Sequence, residues 1–173
     1  MQKVLLKKYF SDKTKDQLLD ELQFLIKRFP QVKEYYHFQL SPEKQEKIFY
    51  EYKRRIKREF FPERGFGGGR PSVGKAPILQ FIKISSSPDK LIDLMLYYVE
   101  QGVKYTLVYG DINEPFYESI ESVYKDSLDL IKENNLYEQF RIRCKKVKTD
   151  TRGMGWGFGD YIEELFEKYY KEA

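Results

Sequence analysis

The sequence predicts an all-α fold, and three observations carry that prediction. Apolar residues recur at helical spacing through most of the chain, as in Leu18, Leu22, Leu25, Ile26 and Phe29. The start signals are helical: Thr14 with Gln17 reads as a capping box, and Ser41-Pro42 and Ser87-Pro88 each put a cap before a proline. Stops at Pro30, Pro62 and Asn134-Asn135 divide the pattern into helix-length stretches. We expect six to eight helices packed as antiparallel pairs in one domain over residues 1–173, with an extended segment near 103–108 as an option and a short α-solenoid as the alternative.

The first clear helix starts at Thr14 and stops at Pro30, and residues 31–40 form a further turn or two. From Ser41 a helix of about 20 residues, roughly 30 Å long, runs to Pro62 with Ile48, Phe49, Tyr52, Ile56 and Phe60 inward. Residues 62–71 are a glycine-rich loop, and a helix follows from about Ser72 or Lys75 to Ile84, kinked or delayed by Pro77. Ser87 opens the next, with Leu91, Leu94, Met95, Tyr98 and Val99 inward and Gly102 as its C-terminal residue. Residues 103–108 are β-branched and aromatic enough to suit a strand. After a turn at 109–114, Pro115 starts a helix with Phe116, Ile120, Val123, Tyr124, Leu128 and Ile131 on its core face. Asn135 with Glu138 reads as a capping box for a helix that Gly153 ends. Asp160 and Glu163 cap the last one.

Composition narrows the function classes. The chain has 173 residues, 31 basic and 27 acidic, for a net charge of +4. No apolar run approaches the roughly 20 residues needed to cross a bilayer, and the basic start at Met1–Lys8 is too short for a signal peptide. The lone Cys144 excludes an internal disulfide and fits a cytoplasmic protein. Charge is segregated. Residues 135–152 hold six Lys/Arg against two acids (+4), and residues 111–133 hold two Lys against seven acids (−5). Such polarity suits intramolecular or homodimeric complementarity as well as it suits nucleic acid; over the whole sequence, an unknown protein partner is expected ahead of nucleic acid.

The motifs point to no catalytic constellation. Gly69–Ala76 has the glycine and lysine spacing of a phosphate loop, but Ala76 stands where a magnesium-binding hydroxyl belongs and no strand precedes it. Glu34 and His37 match half of one di-iron motif in a chain with a single histidine. We therefore expect no catalytic residue, no metal and no cofactor. Two connections stand out instead. Thr149–Tyr161 alternates Gly153, Gly155, Gly157 and Gly159 with Met154, Trp156 and Phe158, which would let an extended backbone approach a neighbour and staple its aromatics to the core. Arg141, Lys145, Lys148 and Arg152 form one basic stripe leading to it. We expect a binding surface made of Arg152, Trp156, Phe158, Asp111, Glu114 and that stripe. Binding of nucleic acid along the stripe is the alternative, and a small-ligand enzyme the second.

The segments Glu59-Phe60-Phe61-Pro62, Leu94–Glu100, Tyr109–Ile112 with Glu114–Tyr117, and Asp150–Gly153 with Gly155–Phe158 together resemble an uncharacterised bacterial family, a domain of unknown function. The likeness covers nearly the whole chain. It implies a helical cytoplasmic protein and supplies no activity or catalytic residue. The triple glycine and Pro77 region looks like a local elaboration.

Overall fold

The computed structural model describes residues 2–171, and the start segment's Met1 lies outside them. Among these residues there are nine α-helices and no strand: α1 (Gln2–Ser11), α2 (Lys15–Arg28), α3 (Pro30–Leu40), α4 (Pro42–Phe60), α5 (Pro71–Phe81), α6 (Pro88–Tyr109), α7 (Glu114–Glu133), α8 (Tyr137–Asp150) and α9 (Phe158–Tyr170). The chain divides into two compact units, Met1–Gln45 and Glu46–Ala173.

In the first unit the Thr14–Gln17 capping box forms in both directions, with Thr14 N–H donating to the Gln17 side chain at 2.9 Å and Gln17 N–H to Thr14 Oγ1 at 3.2 Å. Phe29 closes α2, and Pro30 occupies the first position of α3, where its missing N–H costs nothing. Lys13 joins the helices by pairing with Glu21 at 2.8 Å while lying 4.5 Å over the Tyr9 ring. The apolar stripe of α2 departs from expectation. None of Leu18, Leu22, Leu25, Ile26 and Phe29 is buried.

The second unit is built around α6. Its residues Leu94, Met95 and Leu96 are buried in succession, so this helix is covered on more than one side. Each such side chain contributes about 1.5–3 kcal/mol by leaving water. The residues Val103–Val108 are helical, not extended, and Gly102 lies inside the helix rather than at its end. Tertiary packing overrides the local preference here. A Cβ on Gly102 would strike Ile120 of α7, so the glycine is a notch that lets α7 run close. Asn113 caps α7 by accepting from Phe116 N–H at 3.0 Å. The four-residue link 110–113 brings α7 back along α6.

Two predicted caps are absent. Asn135 takes a left-handed conformation (φ 54°) and Leu136, without a side-chain bond, precedes α8. Gly157 precedes α9, leaving Asp160 inside its first turn, where an acid still complements the helix dipole. Between α4 and α5 the Gly69–Ala76 stretch is no phosphate loop. Gly74 is buried in α5 against Tyr98 and Phe60, and the helix continues through Pro77.

An ion network ties α4, α6 and α8 together. Arg143 bonds Asp93 at 2.5 Å and Glu100 at 2.7 Å, and Lys53 reaches Asp93 at 2.9 Å. Burial alone would lower the Arg143 pKa, but the bonds and charges of Glu100 and Asp93 outweigh it and raise it.

Candidate functional site: the α8–α9 connection and its groove

The connection from α8 to α9 consists of two successive turns. Met154 N–H donates to the Thr151 carbonyl at 3.1 Å, and Phe158 N–H to the Gly155 carbonyl at 3.1 Å. In the second turn both central residues have positive φ, 60° at Trp156 and 70° at Gly157, the signature of a type I′ turn. Glycine adopts that conformation without strain. Tryptophan at φ > 0 costs on the order of 1–3 kcal/mol.

This geometry separates residues that the alternating pattern grouped together. An extended segment would have put Met154, Trp156 and Phe158 on one side. In the turns, Phe158 is fully buried and stacks on Tyr117 with ring centroids 4.7 Å apart, whereas Trp156 stays 62% exposed. Phe158 is thus a packing residue and not part of a binding surface. Its burial satisfies the expectation of a staple, and Trp156 takes no part in it.

Asp111 holds the connection from the α6–α7 link. Its Oδ1 accepts from the Tyr117 hydroxyl at 2.7 Å and from Gly155 N–H at 3.2 Å. Those two bonds, Tyr117 first, lower the Asp111 pKa. A Cβ on Gly155 would come within 2.7 Å of the carboxylate, which explains the glycine. The two connections singled out from the sequence therefore touch. Glu114, exposed in the first turn of α7, makes no ion pair among the described residues.

The basic stripe lines an open groove of about 350 Å³ between α8 and α9, with Phe166, Tyr170, Glu167 and Lys171 opposite. Its four cations are not equivalent. Lys148 is neutralised by Glu163 at 2.8 Å and Glu167 at 2.6 Å. Bonds from Lys148 and then Lys171 hold the Glu167 carboxyl at about 2. Arg141 lies 5.5 Å over the Tyr170 ring and 3.7 Å from Glu138. Lys145 and Arg152 are exposed and have no ion-pair partner among the described residues. Arg152 contributes through space by helping to lower the Glu163 pKa, after the larger effects of Lys148.

Cys144 on α8 is fully buried, and burial raises its thiol to about 11, which disfavours the thiolate at neutral pH. Among the described residues no cluster of three or more His, Cys, Asp or Glu is placed to hold a metal ion.

Sequence reasoning missed Tyr117, the Arg143 network and the Glu59–Arg70 pair. Asp93 and Glu100 are seven apart and so share one face of α6, where one cation can bridge them. Glu59 lies in the last turn of α4, where the helix dipole disfavours an acid, and that misfit was its signal.

The fold and the groove define an all-helical protein with a cleft lined in large part by cations. The model of a family described as "Family of unknown function (DUF6155)" matches residues 1–170, and the chain belongs to that family. No curated protein matches, and neither does a solved structure. No helix among the described residues is long and apolar enough to cross a membrane.

Proposed function

We propose that the protein is a non-catalytic interaction module of the cytoplasm whose binding surface joins Trp156 to the Arg152 and Lys145 end of the α8–α9 groove. One observation carries this reading. The only tryptophan is held exposed, at positive φ, on a connection that Asp111 and Phe158 fix to the body of the unit. A purely structural turn would put glycine there and gain both the strain and the exposure back. The exposed cations Arg152, four residues before Trp156 in the chain, and Lys145 favour an acidic partner segment carrying an apolar or aromatic anchor.

A Trp156→Gly variant separates the two roles. Immobilised acidic peptides with and without an aromatic residue serve as probes. The expected result is retention by the wild type, loss in Trp156→Gly and in Arg152→Glu, and unchanged or higher thermal stability of Trp156→Gly. A Trp156→Gly variant that loses stability and keeps binding would make the residue structural and overturn the proposal. Nucleic-acid binding along the stripe is weaker, because Lys148 is already spent on Glu163 and Glu167.

A further inference from the structure

The loop between α4 and α5 is held tightly, yet it displays a ring to solvent. A Cβ on Gly67 would overlap the Phe60 carbonyl, one on Gly68 the Glu59 carboxylate, and one on Gly69 would lie 2.7 Å from the Tyr105 ring. The backbone is drawn onto the end of α4 by Gly69 N–H donating to the Glu59 carbonyl (3.3 Å) and the Tyr105 hydroxyl donating to the Gly67 carbonyl (3.1 Å). Glu59, only 7% exposed, accepts from Arg70 N–H at 2.9 Å and from its guanidinium at 3.0 and 3.1 Å. Three close approaches and a charged clamp fix the loop. Its tip nevertheless carries Phe66, 88% exposed.

Phe66 is the outer end of a ladder of rings. Its centroid is 6.3 Å from that of Tyr109, which stacks on Phe61 at 6.3 Å and 21°. Tyr105 lies beneath, 4.6 Å from Tyr109, and joins the ladder to the core rings Phe60 and Phe116. Cations frame it. Arg54, Lys57, Arg58 and Phe61 are spaced i, i+3, i+4, i+7 and so share one face at the end of α4. Arg54, Arg58 and Arg64 line an open hollow of about 440 Å³ with Pro62 and Glu63. Lys104 Nζ lies 5.1 Å over the Phe61 ring. With Arg54 paired to Glu51, the four cations Lys57, Arg58, Arg64 and Lys104 and the acid Glu63 together carry a charge of +3.

We propose that this surface binds single-stranded nucleic acid, with bases stacking on Phe66 and Tyr109 and phosphates held by Arg58, Arg64 and Lys57. Exposed rings rooted in the core give a stacking platform whose ordering cost was met on folding. Cations of one sign at the rim match a regular polyanion. The proposal uses none of the side chains of the Trp156 surface and does not depend on that reading.

Fluorescence anisotropy of a labelled oligo(dT), beside the same label on a duplex, tests it. The single strand binds more tightly, and log K falls with log salt at a slope of about −2 for three phosphate contacts. Phe66→Ala weakens binding by about tenfold or more and leaves the slope unchanged. Arg58→Ala and Arg64→Ala each reduce the slope by about 0.7. Trp156→Gly changes nothing. Phe66 is so exposed that its variant keeps the fold, which thermal unfolding checks. Absence of binding at low salt, preference for the duplex, or affinity insensitive to Phe66→Ala would each overturn the proposal. Capture of an acidic peptide at Phe66 without oligonucleotide binding would also overturn it and make the patch a protein surface.

Discussion

Replacing Gly102 with alanine tests whether the α6–α7 approach, and not helix geometry, dictates this glycine. Judged by helix propensity alone, the change would stabilise α6 by about 1 kcal/mol. The structure opposes that gain. The new Cβ would collide with Ile120 Cδ1 and lie 3.0 Å from Ile120 Cγ1, in a buried seam. Overpacking of this kind costs about 1–3 kcal/mol, so the balance runs from near zero to about 2 kcal/mol of lost stability. Ile120→Val removes Cδ1, the atom in the way, and by itself costs about 0.5–1.5 kcal/mol. Urea unfolding of the two single variants and the double variant closes a cycle. The double variant should be more stable than the sum of the singles implies, by about 1 kcal/mol or more, because the alanine fills the space the methyl leaves. Effects that add within about 0.5 kcal/mol, or a Gly102→Ala variant stabilised by the full propensity gain, would refute the notch.

Two further outcomes follow from the charge network and the loop clamp. Arg143→Met leaves Asp93 and Glu100 without their shared cation, and with side chains about 30% exposed the loss should be roughly 1–3 kcal/mol in urea unfolding, below the figure for a fully buried pair. Burial alone would raise the Glu59 carboxyl, but the bonds and charge of Arg70 hold it below its ordinary 4.5. A carboxyl depressed in the folded state contributes stability that is present above the ordinary value and lost as pH falls through the folded one. Thermal midpoints of wild type and Glu59→Gln should therefore differ most near neutral pH and converge below pH 4.5.

The all-α fold was legible because its evidence is local: the Thr14–Gln17 capping box, the proline starts and the stripe of Phe116 to Ile131 all depend on residues within a few turns of one another. Val103–Val108 misled because β-branched and aromatic residues favour a strand only until packing along α6 decides otherwise. Gly102 misled for a related reason. A glycine after an apolar run reads as a helix end, and only the position of Ile120 reveals the notch. At the site, the sequence singled out the two connections that Asp111 and Gly155 join, and it gathered Arg141 to Arg152 on one groove. It could not divide Phe158 from Trp156. That division rests on the φ values of Trp156 and Gly157, which a pattern of alternating glycines does not encode. The pairing of Lys148 with Glu163 and Glu167 was equally invisible, since it needs the relative placement of α8 and α9.

The fluorescence of Trp156 tests the central claim most directly, because no other tryptophan contributes. The exposed turn predicts a native emission maximum close to that of the urea-unfolded chain. It also predicts ready quenching by iodide, which Arg152→Glu should weaken by removing a nearby positive charge. A blue-shifted native maximum with poor quenching, relieved only on unfolding, would mean that Trp156 is packed into the protein and would contradict the account.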